Sequence, residues 1–172
     1  MKKIILSIAV VAGLCFMGCG GSKTDETTSS IPGMMEIEIS INDTPLSIMV
    51  PDSSKEKLSI VKQSWGATEI KAGTHFQISI SEDQGDIALK KSDVADNDVN
   101  KFKRYIKDEP TLLSWESEIT EPEFHFYTVQ KIGAASYLIE DIKEEHFSEA
   151  DIQQMIDAAK TLKAKEASKP NP

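Results

Sequence analysis

The chain has 172 residues, 40% of them hydrophobic and only 6% aromatic, with 19 basic against 28 acidic side chains, three histidines and two cysteines. One domain accounts for that length; the apolar fraction is too high for a disordered chain, seven prolines and nine glycines exclude a collagen-like one, and two cysteines cannot make a disulfide scaffold. A net charge of −9 argues against nucleic acid as a partner, since phosphate binding needs clustered Lys and Arg.

Lys2 and Lys3 precede an apolar run, residues 4–17, whose only polar side chain is Ser7. A positive end, a hydrophobic stretch and a small residue in that order read as a secretory signal. Fourteen helical residues span about 21 Å, short of the roughly 30 Å hydrocarbon core, so a permanent spanning helix is the weaker reading. The run ends at Gly18-Cys19. Here the sequence resembles the bacterial lipoprotein signal, whose lipobox is Leu-Ala/Ser-Gly/Ala-Cys. Gly18 and Cys19 match it, while Phe16 and Met17 stand where Leu and a small residue are usual. The resemblance implies a signal peptide over residues 1–18, lipidation at Cys19 with palmitate-type chains, and a place in the bacterial outer membrane, facing the periplasm or the surface. Cys15 is the rival site, but Leu14 before it is too bulky for the small position. An uncleaved signal, or a secreted protein with an unmodified cysteine, is the alternative. One acyl chain anchors only marginally, at about 0.8 kcal/mol per CH₂, whereas two or more hold firmly.

Residues 20–30 carry no large apolar side chain, and Pro32-Gly33 supplies a turn pair, so residues 19–33 read as a flexible linker. Lys23 followed by Asp25 and Glu26 resembles the surface-export signal of Bacteroidetes lipoproteins; a solvated linker explains the same charges. Losing Lys2 and Lys3 with the signal leaves 17 basic against 28 acidic residues, a mature charge of −11. Such a surface repels anionic lipid and nucleic acid.

The single globular domain is expected over residues 34–164, with 165–172 a disordered tail. Ile37, Ile39 and Ile41 alternate with Glu36, Glu38 and Ser40; Asn42-Asp43-Thr44 supplies turn chemistry; Leu46, Ile48 and Val50 resume the alternation. That pattern predicts a β-hairpin with one wet face. Residues 58–61 and 67–70 read as short strands around Trp65-Gly66, and residues 74–81 as a clearer one with Phe76, Ile78 and Ile80 on one face. Val99, Phe102 and Ile106 recur at helical spacing, which predicts a helix over residues 96–107, capped by Asp96 or Asn97 and stopped by Pro110. Three strands follow, over 112–119, 123–130 and 134–142. A closing helix opens at Ser148, with Asp151 three residues on, and carries Ile152, Met155, Ile156, Ala159 and Leu162 on one stripe.

This order predicts an α+β domain, an antiparallel sheet of about six strands flanked by two helices. The stretch 124–142 followed by 147–163 resembles the end of small Bacteroidetes lipoproteins of unknown function. The order of elements is more distantly similar to the Mog1/PsbP-like fold. Both resemblances imply a fold and no catalytic residue, because fold does not fix function.

No catalytic motif is present. His75, His125 and His146 could serve zinc only with partners from other elements, and a solvated sheet face is the expected place for them. Asp93, Asp96, Asp98 and Asn100 place oxygens at alternate positions as calcium asks, yet counting from Asp96 the turn glycine is Lys101 and the closing glutamate is Lys107. Helix capping serves the same acids. Glu116/Glu118 and Glu121/Glu123 could be read as glycosidase pairs, but such pairs are common among 28 acids. Residues 123–130 carry large side chains on both faces: either the strand is buried on both sides, or Tyr127 and Val129, with His125, form a patch on which a partner docks. The expectation is a monomeric, non-catalytic binding or adaptor module without cofactor, held on the membrane by its lipid and meeting an envelope protein or small ligand. A small envelope enzyme with a dispersed carboxylate/His site is the alternative.

Overall fold

The computed structural model describes residues 31–52, 54, 57–143 and 145–165; the expected signal, Cys19, the linker up to residue 30 and the tail from 166 lie outside them. Ile31 opens the described chain, and Pro32-Gly33 turns it, with the Met34 N–H donating to Ile31 O at 3.0 Å and Gly33 at φ +78°. Proline followed by a positive-φ glycine is the type II arrangement.

Two strands, β1 (Met34–Ile41) and β2 (Thr44–Pro51), form the expected hairpin. Its loop is the two residues Asn42 and Asp43, both at positive φ (47° and 63°). Asn and Asp tolerate that conformation, and its twist matches that of the strands it joins. Next come β3 (Leu58–Lys62), β4 (Thr68–Ala72), β5 (Phe76–Glu82), α1 (Ile87–Ala95), β6 (Lys101–Glu109), β7 (Leu112–Glu118), β8 (Pro122–Ile132) and β9 (Ala135–Asp141). The closing helix α2 (Glu149–Ala159) and the two-residue β10 (Lys163–Ala164) end the order. The fold is α+β with two helices, but the strands divide into two sheets: three strands ordered β1-β2-β10 and seven ordered β3-β4-β5-β9-β8-β7-β6, with antiparallel neighbours throughout.

The large sheet is covered on both faces. On one, the hairpin residues Ile39 and Ile48 join Ile78, Phe126 and Ile139 of the sheet, and Ile156 of α2, in the main core. The expected stripe of the closing helix is buried there: Ile152, Met155, Ile156, Ala159 and Leu162 are each 6% exposed or less. Ser148 caps α2 in a full capping box with Asp151, each side chain serving the other residue's backbone N–H. The opposite face carries a smaller cluster of Val94, Leu113, Trp115 and Tyr127 beneath α1. Phe126 and Tyr127 fall in different clusters, as do Leu112 and Leu113, because successive strand side chains point to opposite faces.

The helix expected over residues 96–107 is not there. Residues 101–109 form β6, the edge strand beside β7, and the first helix lies earlier, at Ile87–Ala95. Of the three residues whose spacing suggested a helix over residues 96–107, Val99 is exposed before β6 begins, Phe102 packs on the α1 side of the sheet and Ile106 lies beside Ile152 and Ile156 of α2, so they share no face. The β6–β7 register shifts between Phe102 and Arg104 and again between Tyr105 and Lys107, so Phe102, Tyr105 and Asp108 face Ser117, Trp115 and Leu113 on one side of the sheet at intervals of three. Each extra residue turns a period of two into a local three. The true helix carries its own start, an Asp86 N-cap accepting from the Leu89 N–H at 2.9 Å. Asp96 is its C-cap rather than the start of a helix.

Candidate functional site

The site is built where the β8–β9 ladder stops. Its last cross-strand pair at this end is Tyr127 with Glu140. Beyond it the Phe126 N–H donates to Asp141 Oδ1 at 2.7 Å, so a side chain takes over the pairing from the backbone. The second oxygen, Oδ2, lies 2.8 Å from His125 Nδ1. A carboxylate can only accept, so Nδ1 carries the hydrogen. On the ring's other side Nε2 is 3.6 Å from Glu123 Oε2, and Glu123 Oε1 is 3.2 Å from His146 Nδ1.

Three of these four side chains are buried: His125 and Glu123 are 9% exposed and Asp141 3%, while His146 lies at the surface. His125 was expected on a solvated face. It is buried because Trp115, directly opposite on β7, packs its ring 5.3 Å away and α1 closes over the pair. Burial works against a charged imidazole here, but the hydrogen bond and charge of Asp141, aided by Glu123, outweigh it and hold the His125 pKa above its ordinary value. A buried imidazolium between two buried carboxylates is the charge state this geometry favours.

Beside His125 a cavity of about 270 Å³ opens between α1 and the sheet, walled by Lys90, Asp93, Trp115, Glu140, Asp141 and Lys143 together with His125. Asn97 and Asn100 line it from the loop after α1. The Lys90 ammonium sits over two rings, 5.5 Å from the Trp115 centroid and 4.9 Å from that of Tyr127, and 3.4 Å from Glu140 Oε2. Two wall residues keep a buried polar atom without a hydrogen-bond partner, His125 Nε2 and Asn100 Oδ1.

Tyr127 and Val129 share the face of His125 but lie under the start of α1. Gly85, at φ +55°, brings the chain so close that a Cβ there would stand 2.6 Å from Val129 Cγ2 and 3.0 Å from the Tyr127 hydroxyl. The Asp86 N–H donates to that hydroxyl at 3.1 Å. Of the three expected patch residues, His125 alone lines the cavity beside Trp115.

His75 lies in the turn before β5, its Nδ1 3.4 Å from the Asp151 carboxylate, and β9 separates its strand from that of His125. No group of three or more His, Cys, Asp or Glu side chains able to hold a metal occurs among the described residues. Of the residues weighed for calcium, Asp96 accepts from the Ser92 hydroxyl at the end of α1, the Asn100 N–H donates to Asn97 Oδ1, and Asp93 and Asn100 line the cavity. Glu116 and Glu118 pair with Arg104 and Lys103, each at 2.6 Å, whereas Glu123 is part of the buried network.

Asp141, Lys90, Trp115, Glu140 and Lys143 are members of this site that sequence reading did not single out. One sign was present: Tyr137, Ile139 and Asp141 stand on the core-facing positions of one strand, and an acid in a core position requires a partner. Comparison with protein-family models, with curated proteins and with solved structures gives no match for this chain.

Proposed function

We propose that this chain is an outer-membrane lipoprotein, anchored through Cys19, whose α+β domain is a non-catalytic recognition module for a small polar ligand held in the cavity between α1 and the sheet. One observation carries the binding reading. Of the five buried side-chain polar atoms that lack a hydrogen-bond partner among the described residues, two, His125 Nε2 and Asn100 Oδ1, belong to residues of that one cavity wall. An unmade hydrogen bond at a buried group costs about 1–3 kcal/mol, and a ligand adjacent to both residues is a ready way to recover it. A Mog1/PsbP-like arrangement remains part of the proposal, as the architecture that the order of elements suggests.

The second reading, a small envelope enzyme, is favoured by the Asp141–His125 pair, an oriented imidazole of the kind general bases use. Against it, Nε2 faces a carboxylate, and no hydroxyl or thiol is bonded to it among the described residues. The test is thermal unfolding of the full-length protein with a panel of small polar metabolites, each mixture followed by NMR over hours. A stabilising ligand recovered unchanged supports recognition; at one hundred times its Kd the gain is about 2.7 kcal/mol. Conversion of the ligand, lost in His125→Gln, would establish the enzyme instead.

A further inference from the structure

The charges around the cavity are unevenly matched. Glu140 Oε2 serves two ammonium groups, Lys90 at 3.4 Å and Lys143 at 3.9 Å, and both distances exceed the roughly 2.7–2.9 Å of a tight charge-assisted bond. One carboxylate between two cations leaves a positive charge without a partner. Asp93, one turn along α1 from Lys90, has no ion-pair partner among the described residues and leaves a negative charge in the same position. His125 and Asp141 are already bonded to one another. The wall therefore holds one spare charge of each sign, together with two residues that keep an unpaired polar atom.

We propose that the cavity between α1 and the sheet binds a small zwitterion of the amino-acid class, its carboxylate between Lys90 and Lys143 and its ammonium at Asp93 and Asn100. The inference rests on the recognition reading above and narrows its ligand. With His125 as imidazolium, the three cations and three anions of the wall cancel, so a ligand of net charge in either direction is disfavoured while a neutral one with separated charges is complemented. A neutral sugar fits less well. Its ring wants a free aromatic face, and the Trp115 ring already carries His125 at 5.3 Å and the Lys90 ammonium at 5.5 Å. An apolar ligand would meet six ionisable groups and, among aliphatics, only Val94.

Size agrees with this class. A cavity of about 270 Å³ lies at the small end of the range of ligand pockets, in keeping with a molecule of amino-acid size. An adjoining hollow shares Lys90, Asp93, Glu140 and Lys143 and continues past Leu89, Tyr127 and Leu138 on one side and Asp83, Gln84 and Asp86 on the other. A ligand whose charged groups sit on the shared residues would have room there for its side chain, for which L-leucine, with Leu89 and Leu138 to meet it, is the probe.

The protein reports on this itself. It has two tryptophans, Trp65 at 72% exposed and Trp115 in the cavity wall, so Trp65→Phe in the full-length chain leaves Trp115 as the sole emitter. Fluorescence titration would use L-leucine, L-leucinamide, which lacks the carboxylate, 4-methylpentanoate, which lacks the ammonium, and D-glucose. The expected result is a saturable change with L-leucine at least tenfold tighter than with either analogue. Asp93→Asn should abolish the preference over 4-methylpentanoate, and Lys143→Met the preference over leucinamide. Both side chains are solvent-facing, and melting curves of each variant verify folding. Equal binding of an analogue, or binding of D-glucose alone, would overturn the zwitterion while leaving recognition standing. No saturable response to any of the four, with the Tm also unmoved by the wider metabolite panel, would overturn both.

Discussion

At the scale of single residues, His125 carries the largest consequence. Its imidazole answers two carboxylates, Asp141 at 2.8 Å and Glu123 at 3.6 Å, with Trp115 packed on the ring and Lys90 and Asp93 facing the same cavity from α1. Its folded pKa is raised, so the stability it contributes is full below its unfolded value of about 6.5 and is lost as pH climbs through the folded value. His125→Gln removes the cation and leaves buried acids uncompensated, a loss of about 3–5 kcal/mol at the acid end of that window. Urea unfolding from pH 6 to pH 9 checks this: the gap between the native chain and His125→Gln should shrink as pH rises. A gap constant across the range would mean that His125 is not charged in the fold. The site was legible only in part. His125 stood on the face of Tyr127 and Val129, but Asp141 is distant in sequence, and only the ending of the β8–β9 ladder turns its side chain toward the ring.

At the scale of elements, legibility followed the regularity of the backbone. The β1–β2 hairpin was readable because its period of two is unbroken and its turn residues tolerate positive φ. β6 was not, since two bulges break its period of two and the spacing of Val99, Phe102 and Ile106 joined an exposed residue before the strand to side chains on opposite faces of the sheet. α1 was missed for the opposite reason: nine residues with a single buried side chain, Val94, make a weak stripe, and its stability comes from resting on Trp115 and Tyr127 rather than from its own pattern. α2 announces itself through its capping box and five buried side chains. Ile156, 1% exposed in the middle of that helix, meets both the hairpin and the large sheet in one cluster, so Ile156→Ala is expected to cost about 2–5 kcal/mol. Denaturant unfolding measures it, and a cost below about 0.5 kcal/mol would show that the α2 seam is not packed as described.

At the scale of the whole molecule, the described domain and the proposed anchor answer different needs. No helix among the described residues is long and apolar enough to cross a membrane, and the described domain closes its main core without Cys15 or Cys19. Membrane attachment, on the proposal made here, therefore falls to the lipid on Cys19, and recognition to a cavity more than seventy residues further along the chain. With the signal removed as proposed, 17 basic against 28 acidic residues would give the chain no electrostatic hold on an anionic bilayer, so loss of the lipid should not be compensated by surface charge. Cys19→Ala is thus expected to leave an unprocessed precursor or to move the protein wholly out of the membrane fraction, while Cys15→Ala changes neither processing nor location. Fractionation with immunoblotting reads both. The Cys19→Ala protein recovered from the soluble fraction should melt at the native temperature, because the lipid contributes attachment and no core contact. A processed Cys19→Ala chain still held by the membrane would show that something other than this cysteine anchors it, and would return the apolar run of residues 4–17 to consideration as the anchor.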